Sequence, residues 1–418
     1  MNENGEQFLP CLSKTLIMQS ETSLPRQLVR AAGIDVHTKA MNVCIISEQS
    51  NIIFKTFGTY TRDLYLLKGW LQENDVKDVV MESTGIYWVP LFGILEDAGI
   101  AITLANPLQV KQIPGRKTDT ADSQWLCQLL IYGLVKGSFI PSSIQRDLRD
   151  INRQRFRYVY ELSRIKSRVV KLLETCNYKI REVLSNINTK SARNICKALS
   201  EGERSAERLC KCLCGKARSK KELILPALNG VMNETQQFEL SMFLKDWQHF
   251  EYQVAELEQA MDKLVTKHYP TSNHLLQTLP GVGQSSANAL LAEIGDNVKS
   301  FKTADNLTSW AGLAPGNKQS GTKWYSAPVR KGNKYITTAL IQVTWAAVRV
   351  KNSYWQAQFI WLKRRMPVKK ALVAIARKFL KLIYCTLAKQ QEYIDKGASY
   401  FLAQLSFRRN NLNNQHTV

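Results

Sequence analysis

From Leu28 onward the chain alternates between short apolar runs and polar breaks. Ala31–His37, Met41–Glu48 and Asn51–Tyr60 are rich in β-branched and apolar residues and predict three consecutive strands, the first two joined by a tight polar turn. The period then changes. Leu64, Leu67 and Leu71, with the edge of Trp70, fall on one face of a helix over Thr61–Glu73. Val79–Ser83 predicts a buried strand, Ile86–Ala98 a helix closed by Gly99, and Ile100–Ala105 a further strand. A loop over Lys111–Lys117 leads into an amphipathic helix from Thr118 to Leu134.

Three strands, helix, strand, helix, strand, helix is the element order of the ribonuclease-H-like (RuvC-like) α/β fold. Beyond it the pattern becomes helical. Leu148, Ile151, Val159, Leu162, Val169, Leu173 and Cys176 recur at three- and four-residue steps in a helix over Ile144–Ile180. Leu240, Phe243, Trp247, Phe250, Val254, Leu257, Met261 and Leu264 do the same up to His268. Such seams predict a coiled-coil arm, formed by these helices with each other or with another subunit. Leu276–Gly295 has the form of a helix-hairpin-helix, in which Gly281 and Gly283 allow a tight turn that presents backbone N–H groups to phosphate. Further helices are expected to about Val350 and over Ala371–Tyr384, and the Asn-rich end, Asn410–Gln415, is expected to be disordered. The expected organisation is a flexible extension over 1–28, the RuvC-like domain over 29–138, a helical arm with a basic insert over 139–270, a mainly helical C-terminal domain over 271–390, and a tail over 391–418.

Charge narrows the possible partners. Lysine and arginine total 57 against 35 acidic residues, a formal net charge of +22. A balance this basic points to a polyanion, first of all nucleic acid. The positive charge is spread along the chain and not set beside an apolar anchor, which argues against a membrane surface. No run approaches the roughly 20 apolar residues that span a bilayer, and residues 1–28 have no apolar core like a signal peptide's, so the expected location is the cytoplasm. The nine cysteines are an odd number and read as reduced thiols. Cys210, Cys212 and Cys214, with Cys196 upstream, lack the Cys-x-x-Cys spacing and the histidine partners of a zinc site. Residues 185–235 carry no functional signal of their own.

The chemistry-bearing residues lie in the first third. Asp35 sits in an apolar strand, Glu82 ends another, and Asp119 and Asp122 open the helix after the Lys-rich loop. Residues three apart share a helix face, so the last two can point at one spot. One such acid alone ordinarily caps a helix or is solvated. Together they fall where a ribonuclease-H-like sheet brings carboxylates to one edge. Oxygen ligands on hard cations suggest Mg²⁺ or Mn²⁺, and a pair of such ions is the usual device for cutting phosphodiesters. Lys111, Arg116 and Lys117 precede the last two acids and suit a phosphate-bearing substrate, although an ordinary solvated loop would look the same.

These residues resemble the DEDD transposases of bacterial insertion sequences, of the insertion-sequence-one-ten type, whose members are guided by a structured bridge or seeker RNA. The likeness runs from about residue 31 to 380. Lys117-Thr-Asp-Thr-Ala-Asp122 matches the family's most specific signature, with Ser123 where alanine usually follows. Leu279-Pro-Gly-Val-Gly283 and Ala311-Gly-Leu-Ala-Pro315 match its C-terminal domain, Ser320-Gly321 its nucleophilic serine, and Arg330-Lys-Gly-Asn333 its later Lys-x-Gly-Asn pattern. The resemblance implies that Asp35, Glu82, Asp119 and Asp122 bind Mg²⁺ and that Ser320 attacks phosphorus. It also implies that element-end and target DNA are the substrates, that a guide RNA selects them, and that the chain acts as a dimer or tetramer. Lys318, Lys323, Arg330 and Lys331, in a Gly-, Lys- and Ser-rich loop, are expected to lie on nucleic acid with Gly281 and Gly283. Two other readings remain open. One is a junction-resolving nuclease that uses the same acids with water. The other is a basic nucleic-acid-binding protein whose acids are structural.

Overall fold

The computed structural model describes residues 25–48, 51–82, 85–105, 119–135, 137–316, 318–320, 322–325, 329 and 331–415. They form two compact units, 1–140 and 141–418.

The first unit is an α/β domain. Strands β1 (Ala31–Val36), β2 (Met41–Ile46), β3 (Ile52–Phe57), β4 (Asp78–Glu82) and β5 (Ala101–Ala105) make one sheet in the order β3-β2-β1-β4-β5. β1 runs antiparallel to β2 and parallel to β4, and β4 parallel to β5, an order consistent with the ribonuclease-H-like expectation. Period-two alternation sends Ile34, Val43, Val79 and Met81 into one face, where α1 (Thr61–Glu73) and α2 (Trp88–Asp97) bury Leu64, Leu67, Leu71, Leu91 and Leu95. The other face receives α3 (Asp119–Ile131), with Cys127 and Ile131 against Ala31 and Cys44, and Leu126 against Val80 and Ala105. Residues 26–28 are not a free extension. Gln27 N–H donates to the Ile131 carbonyl at 2.8 Å, and Arg26 donates to the carbonyls of Ser47 and Glu48.

The second unit is helical apart from one hairpin. Its axis is a pair of long helices, α4 (Ser143–Thr175) and α5 (Glu234–His268). They lie antiparallel, since Arg155 meets Glu258 while Lys166, further along α4, meets Glu251. The expected single seam is interrupted. Leu148, Met261 and Val265 belong to one core, Ile165, Val169, Leu240 and Trp247 to another, and the apolar residues between are only partly buried. α4 stops at Thr175, short of the expected Ile180, because Asn177 adopts a left-handed backbone with φ of 59°. The second core is built from the stretch that carries no sequence signal. Cys196, Leu199, Leu209, Cys210 and Leu228 are buried there beneath the long helices.

The first core gathers α6 (Pro270–Gln277), α7 (Gln284–Ile294), α8 (Ala304–Trp310), α9 (Lys334–Ala347), α10 (Tyr354–Lys363) and α11 (Val368–Lys389). A hairpin of β6 (Lys318–Ser320) and β7 (Lys323–Tyr325) leaves it between α8 and α9. The expected disordered tail is a helix, α12 (Gly397–Gln415), whose Phe401 is buried and packs edge-on against Tyr354. One apolar anchor docks the start of a segment whose later residues are polar.

Candidate active site

β1 and β4 bring two acids together. Gly33 pairs with Val80 and Ile34 with Met81 in parallel register, so Asp35 and Glu82 fall one step further along neighbouring strands. Alternation puts both on the face that α3 covers, because Ala31 and Val80 point to α3 while Ile34 and Met81 point away. The approach of α3 depends on Gly33. A Cβ there would lie 2.1 Å from the Ser123 carbonyl oxygen and 2.6 Å from the Cys127 nitrogen. That contact sets the first turn of α3, with Asp122 in it, over the β1–β4 edge.

Asp35 is buried, and its Oδ2 lies 2.8 Å from His37 Nε2. Burial pushes its carboxyl above the ordinary value, His37 pulls the other way, and Asp122 and Glu82 push it up further as like charges. Asp35 therefore feels the other two carboxylates. Among the described residues no group of three or more His, Cys, Asp or Glu stands at metal-binding distance. The α3 helix begins at Asp119, whose side chain is not described; Lys111, Arg116 and Lys117 lie outside the described residues.

In the second unit Ser320 ends β6 and pairs in register with Lys323 at the start of β7. The side chains of Lys318 and Ser320 are not described, Arg330 lies outside the described residues, and Lys323 and Lys331 are exposed. The hairpin is held at its stem. A Cβ at Gly332 would lie 2.2 Å from the Gly312 nitrogen, so the two glycine-bearing motifs touch backbone to backbone. Next to Gly332, Asn333 caps α9 by accepting from the Tyr335 and Ile336 amides, and its Nδ2 donates to Glu293 at 2.5 Å. Glu293 is fully buried and also meets Arg153 at 3.2 Å and Arg149 at 3.6 Å.

Two helices, α6 and α7, flank the Leu279–Gly283 segment. Gly281 has φ of 80°, and a Cβ there would lie 2.7 Å from the Val343 carbonyl and the Ala347 nitrogen, so packing on α9 requires the glycine. Gly283 is the open N-cap of α7, and Ser285 in the first turn already bonds to Glu258 and Arg155.

The sequence reading passed over Gly33, His37, Glu293 and the Gly312–Gly332 contact. Gly33 had a signal, since a glycine inside an apolar strand marks a close backbone approach. His37 stands two residues from Asp35, the spacing of one strand face. Glu293 had none, because its partners are 40 or more residues away.

Two family models match the chain. One, for DEDD transposases of the IS110 type and described as "Transposase", covers residues 32–178, and the other, described as "Transposase IS116/IS110/IS902 family", covers 273–359. The chain belongs to the IS110-type transposases. The transposase for insertion sequence element IS1111A of Coxiella burnetii is 24% identical over 377 residues, 87% of this chain and 91% of its own length. The pilin gene-inverting protein of Moraxella bovis is 30% identical over 177 residues, 39% of this chain and about half (53%) of that protein. An IS110 protein of 43.6 kDa from Streptomyces coelicolor is 34% identical over 136 residues, about a third of each chain (31% and 32%). This transposase is an enzyme that cuts and rejoins DNA. The sheet with its acids falls within the first matched region, and the Ser320 hairpin with its stem within the second. No helix among the described residues is long and apolar enough to cross a membrane.

Proposed function

We propose that the transposase cuts DNA with a Mg²⁺- or Mn²⁺-dependent acid site and Ser320 as nucleophile, at sites chosen by a guide RNA. The observation that carries the reading is the meeting of Asp35, Glu82 and Asp122 on one sheet edge, where each carboxylate raises the cost of ionising Asp35. Carboxylates that raise the cost of ionising Asp35 suit a hard divalent cation. Asp35, Glu82 and Asp122, with Asp119, would hold it, and it would supply charge stabilisation at the scissile phosphate. His37 fixes the orientation of Asp35 through the 2.8 Å contact.

Ser320 Oγ attacks phosphorus. The Oγ–P bond forms as the P–O bond to the departing strand end breaks, and the departing oxygen takes up a proton. Rejoining runs the same steps backward, so the bond is conserved. Lys323, the register partner of Ser320, supplies positive charge beside the attacked phosphate. Support for the serine, for RNA guidance and for a dimeric or tetrameric assembly comes from the motif resemblance and from the net charge of +22.

The test incubates the protein, its co-expressed RNA, Mg²⁺ and labelled element-end DNA, then denatures the mixture. A protein–DNA adduct that is lost in Ser320→Ala and in a folded Asp35→Ala protein is the expected result. Cleavage without an adduct, unchanged by Ser320→Ala, would overturn the serine mechanism in favour of metal-activated water.

A further inference from the structure

A cavity of about 330 Å³ opens in the second unit among α10, α11 and the segment that leads into α12. That is the small end of the range for ligand clefts, about 300–1,000 Å³. Tyr354, Trp355, Leu382, Tyr393, Ile394 and Tyr400 form its walls. Its remaining lining is Lys378, Lys381 and Lys396, with no acid among the lining residues. Lys378 and Lys381 stand three apart on α11 and so share a face.

Two polar atoms of the walls already have partners. Tyr393 Oη accepts from Trp355 Nε1 at 3.0 Å and donates to the Asp395 carboxylate. Burial and Asp395 push that phenol up to about 12, so it stays protonated. Asp395 Oδ1 accepts from the backbone amides of Tyr354 at 3.1 Å and Gly397 at 2.7 Å. Another acid outside, Asp305, is bound by Lys381 at 2.6 Å and Arg377 at 3.2 Å. What remains for a ligand is π surface and positive charge. Lys396 Nζ lies 4.6 Å from the Tyr400 ring centroid, so one cation stands directly at an aromatic face. Tyr400 is 39% exposed and Ile394 80%, a large apolar surface left at the mouth.

We propose that this cleft binds an unpaired nucleotide of a single strand, with the base stacked on the exposed tyrosine surface and its phosphate against Lys396. An aromatic surface with cations at the rim takes any base by its face and has little means of reading sequence. A duplex cannot offer such a base without unstacking it. Lysines at every polar point of the rim exclude a cationic ligand. The strand is either RNA or DNA, which share this chemistry. The proposal requires only that the transposase binds nucleic acid, and it stands or falls independently of Ser320.

The test uses the full-length protein and two short single strands of equal sequence, one iodouridine-substituted RNA and one iododeoxyuridine-substituted DNA. Ultraviolet cross-linking is followed by peptide mapping. Cross-links to the peptides holding Tyr354, Tyr393 or Tyr400 are expected, and the strand that wins when both compete identifies the occupant. Tyr400→Leu should lower the cross-link yield about fivefold or more, and Tyr400→Phe should restore it, as stacking energies of about 1–3 kcal/mol per base require. Blunt duplex should not compete at equal concentration. Mapping in the unaltered protein does not depend on the folding of any variant. Cross-links confined to other peptides, or equal competition by duplex or by an acidic polypeptide, would overturn the proposal.

Discussion

Gly33 of β1 and Ser123 of α3 touch so closely that a single methyl group at Gly33 would sit 2.1 Å from the Ser123 carbonyl oxygen. Two backbones are thus held at a separation only glycine permits. Gly33→Ala must move α3, and Asp122 with it. We expect a loss of stability of about 1–3 kcal/mol, the usual cost of overpacking. Loss of DNA cleavage should exceed anything the melting shift explains. Thermal melts beside a cleavage assay at low temperature would separate the two. Cleavage retained in a destabilised Gly33→Ala protein would refute the positioning role.

Burial and two neighbouring acids oppose the ionisation of Asp35. A carboxyl whose folded pKa is raised contributes stability that is complete below the unfolded value, here 3.8, and lost as pH rises through the folded value. Asp35→Asn should therefore melt at or above the wild type at neutral pH without divalent cations, and should cleave nothing. Mg²⁺ should raise the wild-type midpoint and leave that of Asp35→Asn unmoved. A variant that melts well below wild type would show that Asp35 is chiefly structural.

Glu251 shows the opposite sign. Burial pulls its carboxyl up, but Arg193 at 2.6 and 2.8 Å and Trp247 Nε1 at 2.8 Å outweigh it, with Lys166 at 3.7 Å adding charge, so its pKa is lowered. Stability from this cluster is present above the ordinary value of 4.5 and lost as pH falls through the depressed one. Lys166 is itself lowered because its own burial outweighs its attraction to Glu251. Glu251→Gln should flatten the acid limb of the stability curve by about 0.5–1 kcal/mol, the scale of half-exposed pairs. Acid titration of both proteins by circular dichroism would check it, and parallel curves would count against the cluster.

Glu293 is enclosed by Arg149, Arg153 and Asn333. Glu293→Ala would leave buried guanidinium charge without its partner, a loss of about 3–5 kcal/mol. Burial already holds the Arg149 guanidinium below its ordinary value. Glu293→Leu with Arg153→Met should recover part of the loss. Chemical denaturation of the single and double variants measures both, and a Glu293→Ala protein as stable as wild type would show that the cluster contributes nothing.

The fold of the first unit was largely legible in the sequence because its signals are local. Thr61–Glu73 has the same ends in pattern and in structure, and the strands differ by a few residues at their termini. The acids could be singled out because strand ends and a helix start are local positions as well. What escaped the reading depends on distance. The contact of Gly33 with Ser123 joins segments 90 residues apart, and Glu293 meets Asn333 across 40. The helical core beneath residues 176–232 escaped because its helices are too short for a period to declare itself. Asn177 was hidden for another reason, since a left-handed asparagine ends a helix whose apolar spacing runs on past it.

The meeting of Gly312 and Gly332 gives the serine hairpin a property of its own. Chain that departs and returns through one point can change in length or sequence without moving what lies below that point. The hairpin is, in effect, a cassette. Related transposases could exchange the hairpin between the two glycines and keep the same socket, so the hairpin can diverge while the stem that holds it stays fixed.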